Sequence, residues 1–218
     1  ADFLSEVLGG DDPADHVDVI VGGPPCQAFA RIGRAKLREI LRHPQAYLRD
    51  GRANMYLHYL EYVEFFRPKA VVMENVPDIM NFGGKNVAEE IASSLEDLGY
   101  RTRYTILNAA HYGVPELRQR FFLMAIRNDL DVTPEFPVPT HQFELTIGYA
   151  SAQRAALQGL DLFNYQEWHY VPAPTLTDGL PSAVTAQQAL EDLPVVVDHL
   201  QGLGRRRPKQ FQALLRSH

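Results

Sequence analysis

Cysteine, tryptophan and long apolar runs are scarce in this chain. A single cysteine, Cys26, stands among 218 residues, which excludes an internal disulfide and any cysteine-rich zinc site. No apolar stretch approaches the ~18 residues that a membrane span needs. The opening ADFLSEVLGGDDPADHVD lacks the basic start and the apolar segment of a secretory leader, so a cytoplasmic setting without membrane attachment is expected. No H-x-x-x-H or H-x-x-E-H spacing occurs, and no metal site is expected. An initiator methionine is also missing, and the chain stops at FQALLRSH with no closing element. The expectation is a piece of a longer protein.

What is present suits a folded domain. With 45% hydrophobic and 22% charged residues, the chain can bury a sizeable core as one large domain or one domain with an appendage. The net charge of −6 hides an uneven distribution. Between Arg31 and Arg52 seven Lys or Arg residues (31, 34, 36, 38, 42, 49, 52) meet two acids, Glu39 and Asp50. That segment therefore carries +5 and the remainder −11. A cationic stretch on an acidic body suits a polyanion. A solvated basic helix face is the alternative, and the later run Arg205-Arg206-Arg207 reads as a solvated tail.

Hydrophobic periodicity organises the first 130 residues. Val17, Val19, Ile20 and Val21, ended by Gly22-Gly23, read as a buried strand, and AVVMENVP (70–77) reads as a second stopped by Pro77. Between them Tyr56, Tyr59, Leu60, Val63 and Phe66 form an amphipathic helix that breaks before Pro68. Tyr56, Tyr59 and Tyr62 would suit base stacking, but the first two lie on the apolar stripe and read as core. Val87, Ile91, Leu95 and Leu98 repeat the helical period, with Gly99 as its stop. RTRYTIL (101–107) alternates, and RFFLMAI (120–126) is a third strong apolar strand. Strands separated by such helices predict a parallel α/β sheet. From Asp131 onward Pro134, Pro137 and Pro139 break regular structure, and a capping box at Thr185–Gln188 marks one further helix start. The predicted division is a catalytic core over residues 1–130 and an irregular extension over 131–218.

The chemistry concentrates at strand ends, where open α/β sheets bind their ligands. Cys26 follows Gly22-Gly23-Pro24-Pro25. The glycines allow close approach to the backbone, and the prolines supply no N–H and fix the orientation of the turn. A lone cysteine is ordinarily a small buried hydrophobe, yet such a thiol needs no stiff strand-end turn. Glu74 ends the next strand, where a carboxylate requires a partner. His111 is a second candidate partner for Cys26 in a thiol-hydrolase reading.

GGPPCQAF, MENVP and HYGVPELRQRFF, in this order and spacing, resemble the DNA (cytosine-5)-methyltransferase family. The first matches the family's Pro-Cys-Gln nucleophile segment and the second its Glu-Asn-Val segment. The third matches Gln-x-Arg-x-Arg, with Glu116 standing where glutamine is usual. DGRANMY (50–56) is similar to its Asp-x-Arg segment, and the match runs from about residue 2 to 127. The resemblance implies part of a Rossmann-like fold dependent on S-adenosylmethionine, namely the second half of a mostly parallel sheet with flanking helices. It implies Cys26 as the nucleophile at carbon 6 of a flipped-out cytosine, Glu74 at ring N3, and Arg120 at O2 with Arg118 close by.

Asp2, Pro25 and Met55 would meet the cofactor. Gln27, Arg34 and Arg52, on a loop spanning roughly 27–52, would meet the DNA. The partners implied are double-stranded DNA and, in a restriction-modification system, a cognate restriction enzyme; no oligomeric state is implied. The glycine-rich cofactor turn, the ribose-binding acid and most of the recognition region are missing from these 218 residues. A non-catalytic or split fragment that binds DNA or a partner chain is therefore the alternative.

Overall fold

The computed structural model describes residues 16–25, 55–81, 86–143, 156–157, 169–190 and 192–193. Among the sequence candidates, Cys26, Asp2, Gln27, Arg34 and Arg52 lie outside the described residues.

Four strands form one sheet in the order β1-β2-β4-β3: β1 (Val19–Gly22), β2 (Ala70–Asn75), β3 (Tyr100–Asn108) and β4 (Gln119–Arg127). β1 and β2 pair in parallel, whereas β4 runs antiparallel to both β2 and β3. The sheet is therefore mixed, with one parallel and two antiparallel pairings where a mostly parallel sheet was expected. Chain length explains the difference. Helix α1 (Met55–Phe66) bridges β1 and β2, and helix α2 (Val87–Asp97) lies between β2 and β3. Between Asn108 and Gln119 there is only a single-turn 3-10 helix, Ala109–Tyr112, and a short loop. A parallel return needs a crossover of a dozen or more residues, so β4 folds back beside β3 as a hairpin partner. β1, β2 and β3 still point the same way, and their carboxyl ends share one rim of the sheet.

α1 and α2 touch each other, so both cover the same face of the sheet. Val63 and Phe66 of α1 and Ile91 and Leu95 of α2 are buried there, at the positions that the helical period singled out. From the sheet they meet Val71, Met73, Tyr104, Phe121 and Leu123, all fully buried. Asn86 caps α2 by accepting from Glu89 N at 3.2 Å. Gly99, with φ of +88°, ends it in the left-handed conformation that glycine adopts freely. The β1 strand forms as expected but is not buried: Val19 and Val21 are 52% and 73% exposed, because no described element lies against that side of an edge strand.

The extension adds no named strand among the described residues. It is tied on by one isolated bridge, Tyr104 with Tyr170, and a second bridge, Gln142 with Ser182, lies within it. The capping box forms: Thr185 Oγ1 accepts from Gln188 N at 3.2 Å, and Gln188 Oε1 accepts from Thr185 N at 2.8 Å, opening the short helix α3 (Ala186–Leu190). Among the described residues, no helix is long and apolar enough to cross a membrane.

Candidate active site at the strand ends

The register of β2 against β4 brings the two charged motifs together. Glu74 stands opposite Phe122, so Arg120, two residues before Phe122, is its diagonal neighbour on the same face, within reach of a long side chain. Arg120 Nε donates to Glu74 Oε1 at 2.9 Å, and Arg120 Nη1 donates to the Gln119 carbonyl at 2.7 Å. The strand-end carboxylate thus has its partner. Both groups keep a solvent-facing side, with the Arg120 and Glu74 side chains 22% and 45% exposed. A charge pair open on one side can exchange partners with an incoming ligand, which a sealed pair could not do without large cost.

The turn that leads to the thiol is fastened to the same point. Asn75, 3% exposed, faces the opposite side of β2 from Glu74, and its Nδ2 donates to the Pro24 carbonyl at 3.1 Å. Its Oδ1 accepts from Val76 N at 2.9 Å, which orients the amide. Pro24 lies two residues before Cys26 in the sequence, and the end of β2 holds this Pro24 turn as well as the carboxylate. Sequence reasoning quoted Asn75 within Glu-Asn-Val but gave it no task. The available signal was an amide residue at a strand end directly following the candidate acid.

The two glycines do allow close approach, and the groups that approach belong to the protein. A Cβ on Gly22 would lie 2.6 Å from Tyr59 Cε2, and one on Gly23 would lie 3.3 Å from both the Glu74 carbonyl and Glu74 Oε2. Tyr59, packed over β1 and β2, reaches the Val72 carbonyl at 3.1 Å and the Ile20 carbonyl at 3.4 Å with its hydroxyl. Burial pushes that phenol far up from its ordinary value, so it stays protonated and donating. Tyr59 is core, as its place on the stripe indicated.

Arg118 does not join the pair. It precedes β4, pairs with Glu116 Oε1 at 3.3 Å on the exposed loop, and its backbone N donates to Asn108 Oδ1 at 3.3 Å. Asn108 also accepts from Ala110 N at 3.2 Å, so this one amide closes the hairpin and sets where β4 begins. The glutamate that replaces the usual glutamine is thus the partner of Arg118 here. His111 is turned toward the extension: its Nδ1 lies 3.3 Å from the His141 carbonyl and its ring 4.5 Å from that of Phe143.

For the cofactor, the described candidates are Pro25 and Met55. Tyr59 of α1 touches Gly22 at the carboxyl end of β1. Met55, one turn earlier in α1, therefore lies beyond that end, on the rim that Pro25 also reaches. Pro25 is exposed and Met55 half-buried.

A mixed α/β sheet with a carboxylate–guanidinium pair at its strand ends, close to the Gly22–Pro25 turn, defines an enzyme-like strand-end site. The model of the C-5 cytosine-specific DNA methylases matches residues 8–175, and the chain belongs to that family, which places its sheet within the Rossmann-like methyltransferase fold. Its relatives include a protein of Oceanobacillus iheyensis with a provisional type II methyltransferase name, 36% identical over 177 residues, or 81% of this chain and 37% of that protein. A DNA (cytosine-5)-methyltransferase 3 of Arabidopsis thaliana is 30% identical over 182 residues, 83% of this chain and 12% of the relative. The type II methyltransferase M.AgeI of Thalassovita gelatinovora is 30% identical over 179 residues, 82% and 35% respectively. The chain thus spans little more than a third of the length of the bacterial relatives and less of the plant one.

Proposed function

We propose that this chain carries the base-handling half of a DNA (cytosine-5)-methyltransferase that moves a methyl group onto carbon 5 of a cytosine rotated out of duplex DNA. The observation that carries the reading is the Glu74–Arg120 pair at 2.9 Å, set at the end of the strand that also holds Pro24 through Asn75. Carbon 5 of cytosine is a poor nucleophile. Addition of the Cys26 thiolate at carbon 6 forms an S–C bond and pushes the ring electrons toward N3 and O2. Glu74, protonated from solvent as Arg120 turns to O2, receives N3 and the exocyclic amine and passes that proton to N3. Arg120, exchanging part of its bond to Glu74 for O2, stabilises the charge that builds there. Arg118 on the adjoining loop is the nearby second cation.

The addition leaves carbon 5 nucleophilic toward the sulfonium methyl that S-adenosylmethionine supplies when bound, with Asp2, Pro25 and Met55 as this chain's contribution to holding it. Loss of the carbon 5 proton to water, expulsion of the thiolate and return of the N3 proton to Glu74 then restore the aromatic ring and the enzyme. Gln27, together with Arg34 and Arg52 of the +5 segment, would contact the DNA backbone, making affinity fall steeply with salt. Double-stranded DNA is the substrate in this reading. The type II names of the bacterial relatives favour a restriction-modification setting with a cognate nuclease as partner.

The test is methyl incorporation into duplex DNA by the 218-residue chain and by the longest reading frame that contains it, read as 5-methylcytosine after digestion. Wild type should incorporate methyl in at least the longer protein, and Cys26→Ser should reduce it to background. Incorporation unchanged in Cys26→Ser would overturn the reading. DNA binding without incorporation in either form would favour the non-catalytic alternative.

A further inference from the structure

A cluster that the base chemistry does not use lies at the opposite edge of the sheet from β1. The residues from His169 run alongside β3. Tyr104 N donates to the His169 carbonyl at 3.0 Å and Val171 N donates to the Tyr104 carbonyl at 2.9 Å, so Tyr170 pairs with Tyr104 in parallel fashion. Two backbone bonds are a slight hold for a segment. The His169 ring adds more. Its Nδ1 lies 2.6 Å from Glu89 Oε1 and its Nε2 lies 3.0 Å from Glu96 Oε1.

Glu89 and Glu96 are seven residues apart on α2, two turns along one face, so the ring is gripped from both ends. Ionised carboxylates only accept hydrogen bonds, so an imidazole between two of them donates from both nitrogens, which only its protonated form can do. Glu89 is further committed as an acceptor. Its Oε2 takes the Tyr104 hydroxyl at 2.7 Å and His169 N at 3.4 Å, and Asn86 Nδ2 donates to that same hydroxyl at 3.0 Å. The set is an ion-paired chain and not a ligand set: among the described residues no group of His, Cys, Asp and Glu is arranged to hold a metal.

We infer that His169 is a pH-sensitive clasp: as an imidazolium held between Glu89 and Glu96 it fastens the following segment to the outer edge of β3, and loss of its proton releases the grip. The fastened segment continues to Ala173, Pro174 and Leu176, which with Ile106, Asn108 and Gln119 line a cavity of about 250 Å³ at the carboxyl end of β3. Gln119 adjoins Arg120 along β4 but on the opposite face, so the cavity and the candidate site share one rim of the sheet and not one face. The clasp itself does not depend on the reaction proposed for that site.

The direction of its pH response follows from the groups facing the ring: Glu89 and Glu96 from α2 and Tyr104 from β3. The hydrogen bond to Glu89 chiefly, and that to Glu96 after it, hold His169 above its ordinary 6.5, with burial opposing. For Glu89 burial is the largest influence and raises it, but the hydrogen bonds from His169 and Tyr104 together bring it below its ordinary 4.5. A histidine raised in the folded state stabilises fully below its unfolded value and loses that contribution as pH climbs through the folded value. A lowered carboxylate loses its contribution as pH falls through its folded value. The clasp is therefore closed around neutral pH, opens on the alkaline side through His169, and opens in acid through Glu89.

Nitrogen NMR of the His169 ring in the 218-residue chain tests this, together with amide exchange at Val171 corrected for intrinsic base catalysis. At neutral pH both ring nitrogens should carry protons, with a titration midpoint above that of free histidine. Val171 exchange should accelerate on the order of tenfold once pH passes that midpoint. In His169→Gln, Val171 should exchange fast throughout and without a pH step. Where that variant fails to fold, Glu96→Gln, which removes only the more exposed arm, should lower the midpoint. A neutral single tautomer at neutral pH, Val171 protection unchanged in His169→Gln, or a midpoint unmoved by Glu96→Gln would each overturn the clasp.

Discussion

Glu74→Gln is expected to lower methyl incorporation by on the order of 10²-fold or more while leaving the protein folded. Glutamine keeps the size and one hydrogen-bonding oxygen of the carboxyl group, but its amide has no proton to give to a ring nitrogen. It also cannot hold Arg120 Nε as an ion pair at 2.9 Å, so the guanidinium is left with the Gln119 carbonyl. The stability cost should be small. Glu74 is nearly half exposed, and ion pairs of that kind contribute at most about 1 kcal/mol. Loss of rate with an unmoved melting temperature would separate a chemical role from a structural one. Activity within about threefold of wild type would remove Glu74 from the mechanism, and the margin is set by the ~10²-fold expected of a charged transition-state contact.

Tyr104→Ala should be the most damaging of the core substitutions. Tyr104 is fully buried, with its ring 5.5 Å from Phe121 and 5.9 Å from Tyr170, and its hydroxyl donates to Glu89. Burial is the first cause that pushes this phenol far above its ordinary value, so it remains a donor at any accessible pH. Removing a large buried ring costs about 3–5 kcal/mol, a large part of the ~5–15 kcal/mol that a domain has in total. Tyr104→Phe keeps the ring and loses only the hydroxyl, at about 1–3 kcal/mol for the polar groups left unpaired. Urea midpoints for the two variants should therefore differ clearly. Equal midpoints would mean that the hydroxyl chain, and not the packing, holds this edge.

How much of this was legible depended on how local the signal was. α1 and α2 could be read from their apolar period, and Val63, Phe66, Ile91 and Leu95 are buried where that period put them. Gly99 and the Thr185–Gln188 box are short-range chemistry, and both behave as read. Strand direction was not local. RFFLMAI is equally apolar in either orientation, and only the short span between Asn108 and Gln119, which holds no crossover helix, turns β4 around.

The burial of β1 was misjudged for a related reason. A β-branched run gives strand propensity but not the number of covered faces, and Val19 and Val21 are exposed.

At the site, Glu74 and Arg120 meet in one ion pair. Their meeting is set by β2–β4 register, which 46 residues of separation conceal from any local reading. Asn75 and Asn108 were overlooked because amide residues serving the backbone leave no pattern in sequence. Arg118, grouped with Arg120 by its motif, pairs instead with Glu116, the one residue of that motif that departs from the family pattern. His169 lies 80 and 73 residues from Glu89 and Glu96, and none of the three suggested anything individually.

The most direct measurement for the central claim is trapping on duplex DNA that carries 5-fluorocytosine, in the presence of S-adenosylmethionine. Fluorine at carbon 5 blocks the elimination that would free the enzyme, so addition at carbon 6 should leave a stable protein–DNA species whose linkage maps to Cys26. It should be absent from Cys26→Ser and strongly diminished in Arg120→Ala. An adduct that maps elsewhere, or that forms equally well when Cys26 is replaced, would contradict the account.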